Sequence, residues 1–483
     1  MYRRTKIVAT LGPMTSSYEQ IRDLLQEKVD VVRVNFSHGT YAEHESLFKN
    51  VRTAAAELKV EVAIMADMQG PKIRISSFKN TKVMLQKGQK FTFDPDVQPN
   101  MGDENSVGIE YKNLYLDVTP GKNIVIGDGQ LSLIVDEIQG QKVICTVLET
   151  NEISNNKGIN ITGGGISAGA ITKKDLSDIE DAVSFGADFI ALSFVKTADD
   201  IEHCRKLLKK LGSSAAIIAK IERTEAVQNL RSIMEATDAI MVARGDLAIE
   251  VGVTEVPGIQ KNIIKMAKEE AKPVIVATQM MESMINCPVP TRAEVSDVAN
   301  AVMDGADAVM LSGETAVGMY PNRVVATVAK VCSSAEHHNL GFSNRFPKKS
   351  FFSTENSIAN TAIFMANNMN VSAILALTES GRTTLWMSRI RSGIPIYGLS
   401  RNISSVRKMK LYRDVYPIYF DYTSSAYGLV NYNAVKLLES LRLVKSGDNV
   451  ILTKGDYMGV EHGSNAIKVL EVGNVRTVEE EVN

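Results

Sequence analysis

The chain has only four cysteines and six histidines in 483 residues, and no Cys-x-x-Cys pair. That spacing argues against a structural zinc site or a dithiol redox centre, and it fits a reducing compartment. Charge of one sign is also missing. The 54 Lys and Arg stand against 56 Asp and Glu, a net charge of −2, so no global field would draw in nucleic acid or an acidic membrane. Any anion site must be local. Long apolar runs are absent too: the opening MYRRTKIVATLGP is broken at Gly12 and Pro13, far short of a signal or membrane-spanning segment, and the expectation is a cytoplasmic chain. There is no low-complexity tract, heptad run or solenoid repeat. What remains is ordinary globular material, 44% hydrophobic, in a length that suggests about three domains.

Eight short runs rich in Val, Ile and Ala carry the organisation: Lys6 to Leu11, Val29 to Asn35, Val60 to Asp67, Asp188 to Phe194, Ala215 to Glu222, Ala239 to Gly245, Pro273 to Thr278 and Ala306 to Leu311. They lack polar alternation, as strands covered on both faces do, and helical stretches such as Tyr18 to Lys28 and Asp175 to Phe185 intervene. The fold class expected is α/β, a (β/α)₈ TIM barrel. About 120 residues separate the third run from the fourth, too many for one crossover. Alternating stretches there, at Lys82 to Leu85, Lys122 to Leu133 around Gly127-Asp128-Gly129 and Lys142 to Leu148, imply an inserted small β-barrel lid domain. After a break at His337-His338-Asn339 and Pro347-Lys348-Lys349, runs at Ile374 to Leu377, Ile394 to Leu399, Val415 to Phe420 and Asn449 to Leu452 imply a C-terminal open α/β domain. The boundaries expected are 1–70 with 168–345 for the barrel, 71–167 for the lid and 346–483 for the last domain.

In such barrels the carboxyl ends of the strands converge on one mouth. The polar residues that end the runs are Arg33, Asn35 and Ser37, then Asp67, Lys220 and Glu222, Arg244 and Asp246, Thr278, and Ser312 with Glu314. Glu222 and Asp246 are hard oxygen donors on adjacent strands, the kind Mg²⁺ takes while keeping water or substrate oxygens in its other positions. Either acid read alone is equally a solvated strand end or a partner of Lys220 or Arg244. Lys220, Arg33 and Arg74 beside them make a site of metal plus fixed cations, suited to a phosphoryl group. No Walker-type loop occurs, and Gly163-Gly164-Gly165 lacks the dinucleotide context. His38 reads as a turn residue without general-base work.

The strings RRTKIVATLGP, VRVNFSHG, GPKIR, AKIE, MVARGDL, ATQMMESM, PTRAEVSDVANAV and LSGETA, in this order, closely resemble the pyruvate kinase family. The resemblance implies transfer of the phosphoryl group of phosphoenolpyruvate to ADP, giving ATP and pyruvate, the last step of glycolysis. It implies Glu222 and Asp246 as ligands of Mg²⁺ (or Mn²⁺) and Lys220 as the cation on the transferring group. Arg33, Lys220, Gly245, Asp246 and Thr278 would hold substrate, with Ser312 and Glu314 a proton-relay neighbourhood. Arg74, Lys174, Asn35 and His38 would face the nucleotide.

One departure separates this chain from many of the family. K⁺-dependent members hold the ion near Asn35, Ser37 and Asp67 and carry Glu where this chain has Lys72, whose ammonium can supply the monovalent charge. Met68, Gln69 and Ile75 also resemble the K⁺-independent branch, so catalysis without K⁺ is expected. Thr378, Ser380, Gly381, Arg382 and Thr383 follow a strand, where hydroxyls and amides could cradle a phosphate, and ordinary capping is the plainer alternative. In the family this loop, facing Lys454 to Asn465, takes a phosphorylated allosteric effector within a homotetramer. Two other readings compete: a barrel lyase that holds pyruvate through Mg²⁺, and an effector-sensing assembly without catalysis. The lyase leaves Lys220 and the lid unexplained, and the second predicts missing strand-end groups.

Overall fold

The eight unalternating runs are strands because both of their faces are covered. In the computed structural model they are β1 Lys6–Thr10, β2 Val31–Asn35, β3 Ala63–Asp67, β4 Phe189–Leu192, β5 Ala216–Ile221, β6 Ala239–Ala243, β7 Val274–Ala277 and β8 Ala308–Leu311. All are parallel and close into one barrel in the order β1-β8-β7-β6-β5-β4-β3-β2. The structure describes residues 3–127, 129–338, 353–390, 392–423, 427–457, 459 and 463–475. Asp128 in the expected lid turn, the break from Asn339 through Lys349, and residues 458 and 460–462 of the loop facing Thr378 lie outside them.

Alternate residues of each strand serve two cores. Val8, Val31, Met65, Phe189, Ile218, Met241, Ile275 and Met310 fill the barrel's interior, while Ile7, Val32, Ile64, Ile190, Ile217, Ile240 and Val309 pack outward under the helices. Several crossover helices start at capping boxes, Ser17 with Gln20, Thr40 with Glu43, Thr172 with Asp175 and Thr291 with Glu294, which satisfy amides that the first helical turn leaves open.

Between β3 and β4 the insertion forms a six-stranded sheet and a two-stranded ribbon around their own core, which includes Phe91, Phe93, Leu131, Val143 and Cys145. The stretches read from sequence are strands Lys82–Leu85, Asn123–Ile126, Leu131–Gln139 and Lys142–Val147. Four more, Lys90–Phe93, Ser106–Val107, Asn151–Ser154 and Ile159–Ile161, are too short or too polar to announce themselves.

The last unit is a five-stranded sheet in the order Val415–Tyr419, Ile396–Ser400, Ala373–Leu377, Asn449–Gly455, Ser464–Glu471. Its final strand is antiparallel and was not expected. Leu411 from this unit packs into the barrel's interior cluster, and Asp307, just before β8, takes the guanidinium of Arg389 and the amide of Arg413. No described helix is long and apolar enough to cross a membrane.

Candidate active site

Four charged groups from three strands meet at the carboxyl end of the barrel. On β2, Arg33 donates through Nε to Asp67 Oδ2 at 2.6 Å and through Nη1 to Thr10 Oγ1 at 3.1 Å. Asp67 ends β3, and its other oxygen lies 3.2 Å from Lys220 Nζ of β5. That ammonium also reaches Glu222 Oε1 at 2.9 Å and Ser193 Oγ at 2.7 Å. Asp67 and Glu222 are each 1% exposed, so these charges meet in a poorly solvated seat where Coulomb attraction is strong. Burial alone would pull Lys220 down, but Asp67 and Glu222 outweigh it and hold the ammonium above its usual range. Burial likewise works against Asp67, yet Lys220 and Arg33 keep it below the ordinary carboxylate value. Glu222 moves the other way: burial, reinforced by the Asp246 carboxylate, raises it against the pull of Lys220 and the Phe194 amide.

The sixth and seventh strand ends supply a second half. Asp246 sits in the first turn of the helix Arg244–Val251, and Lys72 Nζ lies 3.7 Å from its Oδ1. Gly245 donates its amide to Thr278 Oγ1 at 3.0 Å. Thr278 and Gln279 are held in the left-handed region, at φ 67° and 54°, a conformation that costs a non-glycine residue about 1–3 kcal/mol and persists only when its surroundings impose it. Arg244 imposes it. Its fork donates to Ala277 O at 3.1 Å, to Thr278 O at 2.5 Å and to both oxygens of Asp297 at 2.8 and 2.7 Å.

The remaining candidates lie around this pair of clusters. Glu314 is wholly buried and takes the amides of Ser312 at 2.7 Å and Met281 at 3.0 Å, tying the end of β8 to the loop after β7. Asn35 Oδ1 accepts from the Ser37 amide. Lys174 donates to Phe36 O at 2.8 Å and pairs with Asp178, and the exposed turn at His38 has its carbonyl bonded to His44 Nε2. Arg74 turns to the lid's base, donating to Asn156 O at 2.9 Å. The charged cluster holds Arg33, Asp67, Lys220 and Glu222, whereas Arg74, Lys174 and His38 are each engaged outside it.

Sequence reasoning passed over Ser193 and Phe194, which follow β4. The rule that picked out the other strand ends reaches them as well. Phe194 lies in the left-handed region at φ 56°, and its amide donates to Glu222 Oε2 at 2.7 Å.

In the C-terminal unit, Thr378 Oγ1 accepts from the Gly381 amide at 3.0 Å, and Thr383 bonds Glu355 and Ser464. Arg382 lies 3.9 Å from Glu355. Thr378, Thr383, Glu355 and Ser464 with Ser380, Tyr422 and Tyr457 surround a small pocket that also receives Glu379, itself held by Arg401 and Asn402, while Gly381 and Arg382 are not among its lining.

No group of three or more His, Cys, Asp or Glu able to hold a metal occurs among the described residues. Two carboxylates at one mouth, one of them raised by the other, make an incomplete hard-oxygen set, which suits a Mg²⁺-sized ion that keeps water or substrate in its remaining positions.

A closed parallel barrel with a lid inserted after its third strand, and with lysine between two carboxylates at its mouth, defines a barrel enzyme built for an anionic substrate. Residues 2–325 match the family model for the pyruvate kinase barrel domain, and 356–470 match that for the pyruvate kinase alpha/beta domain. Pyruvate kinase II of Salmonella typhimurium is 47% identical over 97% of this chain and 99% of its own. The pyruvate kinase of Haemophilus influenzae is 45% identical over 94% of this chain and 96% of its own. A crystal structure of a pyruvate kinase from Cryptosporidium parvum superposes with a TM-score of 0.90 at 34% identity, covering 97% of this chain and 96% of that one. The chain belongs to the pyruvate kinase family, and so to the phosphotransferases.

Proposed function

We propose that the chain moves the phosphoryl group of phosphoenolpyruvate to ADP. The P–O bond to the enol oxygen breaks, a new one forms to the β-phosphate of ADP, and the enolate left behind takes a proton at its methylene carbon to give pyruvate. The observation that carries this reading is the position of Lys220 between Asp67, Glu222 and Ser193. A cation fixed by two buried carboxylates needs no reorganisation when charge develops on a phosphoryl group in flight.

Charge bookkeeping supports a divalent ion. Arg33, Lys220 and Lys72 offset Asp67, Glu222 and Asp246, so the mouth is neutral by itself. Mg²⁺ or Mn²⁺ held by Glu222 and Asp246 would supply the positive charge that offsets the phosphoryl oxygens. The other groups are this chain's own. Arg33 binds the phosphate; Thr278 with the backbone of Gly245 and Asp246 binds the carboxylate and methylene end. Arg74, Lys174, Asn35 and His38 lie to the nucleotide side. Ser312 and Glu314 border the protonation face, and Glu314, with both oxygens on amides, shapes that face and leaves proton delivery to others.

Lys72 supplies, from the Asp246 side of the mouth, the monovalent charge of the K⁺ that other members hold near Asn35, Ser37 and Asp67. Its ammonium offsets Asp246, supplying a fixed monovalent charge at the mouth. A phosphorylated metabolite binds at Thr378, Ser380, Gly381, Arg382 and Thr383 and activates a homotetramer; the pocket that Thr378, Ser380 and Thr383 share with Tyr422 and Tyr457 supports that reading.

Pyruvate formation assayed with and without ADP tests the reaction, and pyruvate released without ADP would sink it. In Na⁺- and K⁺-free buffer the wild type keeps its rate, whereas Lys72→Glu becomes K⁺-dependent; strong K⁺ stimulation of the wild type would overturn the substitution argument. Repeating the assay with AMP, sugar monophosphates and fructose 1,6-bisphosphate tests activation.

A further inference from the structure

Among the described residues Arg223 is the largest side chain that is fully buried, 1% exposed, and nothing in the proposed reaction uses it. It follows Glu222 directly. Its Nη1 donates to Ile166 O at 3.1 Å, on the segment by which the lid returns to the barrel, and its guanidinium lies over the Phe194 ring at 5.4 Å. The same return segment is gripped twice more. Glu225 Oε1 accepts from the Gly165 amide at 2.7 Å, and the carbonyl of Glu250 accepts from Gly163 at 3.0 Å. Gly163, Gly164 and Gly165 run at φ 81°, 77° and 116°, and a Cβ at Gly164 would stand 2.7 Å from both Glu225 oxygens. A side chain at Gly164 would be strained at that φ and would have to displace the Glu225 carboxylate.

Phe194 also reaches the other stem. A Cβ at Gly70, where the chain leaves for the lid, would lie 3.0 Å from Phe194 Cδ2 and 3.0 Å from Ser193 Cβ. The Phe194 amide holds Glu222, and the Ser193 hydroxyl meets Lys220 and Met68 O, both at 2.7 Å. Both lid stems therefore converge on two residues that directly contact the Lys220–Glu222 pair. Beside these contacts Arg223 Nε, Thr224 Oγ1 and Glu225 Oε2 are buried without a hydrogen-bond partner in the chain.

We infer that Arg223 is a positioning residue that couples the posture of the lid to the Lys220–Glu222 pair through Phe194. The inference rests on the phosphoryl-transfer reading for its kinetic consequence, but its structural consequence needs no substrate. Hydrogen exchange on the intact protein reads three amides directly: Gly163, Gly165 and Phe194. In Arg223→Met their exchange quickens together, by about tenfold or more, while the β-strands of the barrel stay protected. The kcat falls about tenfold or more and the KM for ADP moves less than about threefold, the pattern for an interaction made only at the transition state. Glu225→Gln, a milder change at the same catch, loosens the same three amides and covers the case in which Arg223→Met fails to fold. Faster exchange at Gly163 and Gly165 with Phe194 still protected would overturn the coupling, as would unchanged kcat. A wild type without ADP-dependent turnover would remove the kinase reading, and the exchange pattern would still decide the coupling.

Discussion

Replacing Lys220 with methionine removes one charge and keeps nearly the same length, so it isolates the ammonium. Three contacts vanish, at 2.7 Å to Ser193, 2.9 Å to Glu222 and 3.2 Å to Asp67. The mouth then carries one net negative charge and faces an anionic phosphoryl group without its central cation. A cation fixed on a transferring phosphoryl group contributes about 10³–10⁵ in kcat, or about 4–7 kcal/mol of barrel-bound transition-state stabilisation. The expected kcat falls by that factor. Stability falls less. Losing one partner of a buried ion pair costs about 3–5 kcal/mol, but Asp67 keeps Arg33 and Glu222 keeps the Phe194 amide, so the low end applies. The assay is pyruvate formation from phosphoenolpyruvate and ADP, paired with urea unfolding to show that the variant is folded. A folded Lys220→Met that retains more than about a tenth of wild-type kcat would refute the assignment, because about 1.4 kcal/mol is too little for a cation on the reacting group.

Glu250 supplies a pH test. Burial raises its carboxyl to about 7, opposed by the Thr224 amide and Arg223. The folded chain keeps this proton up to about pH 7 and the unfolded chain loses it near 4.5, so the associated stability is complete below 4.5 and gone above 7. Glu250→Gln should gain on the wild type across that window, by up to about 3 kcal/mol in urea unfolding, and a pH-independent difference would refute it. Arg244→Lys trades a planar fork for a point charge and loses the hold on Thr278 O and Asp297; kcat/KM should drop about 10–100-fold, and an unchanged value would show that Thr278 keeps its conformation unaided. Burial pushes the thiols of Cys145, Cys204 and Cys332 up to about 12, whereas Cys287 is exposed. Titration with a thiol reagent at pH 8 should therefore find one fast group in the native protein and four after denaturation; more than one fast native thiol would contradict this packing.

The barrel was legible because each of its strands is buried on both faces, which erases alternation and leaves runs such as KIVAT and AIMAD in plain view. The antiparallel strand Ser464–Glu471 was missed for the opposite reason: SNAIKVLE is largely exposed or half-buried, and its identity comes from pairing with Asn449–Gly455. The same contrast separates the site residues. Asp67, Lys220 and Glu222 are charges ending apolar runs, which a sequence displays openly. Arg223 is also a charge in a polar turn and reads as surface; its burial depends on Ile166, 57 residues earlier, arriving from the lid. Tertiary context of that kind has no local signature.

Backbone strain at the mouth has none either. Phe194, Thr278 and Gln279 adopt left-handed angles at the ends of β4 and β7, where a helix or a strand would have been cheaper. In each case a charged group of the site holds the turn: Glu222 takes the amide of Phe194, and Arg244 takes the carbonyl of Thr278. Each of these side chains therefore has two tasks, one facing an opposite charge, Lys220 for Glu222 and Asp297 for Arg244, and one facing the chain. A substitution at either should disturb geometry on the adjacent strand as well as charge. That is why Arg244→Lys, which conserves charge, is the more informative variant: any activity it loses reports the fork's hold on Thr278 O and Asp297 and not a change in net charge.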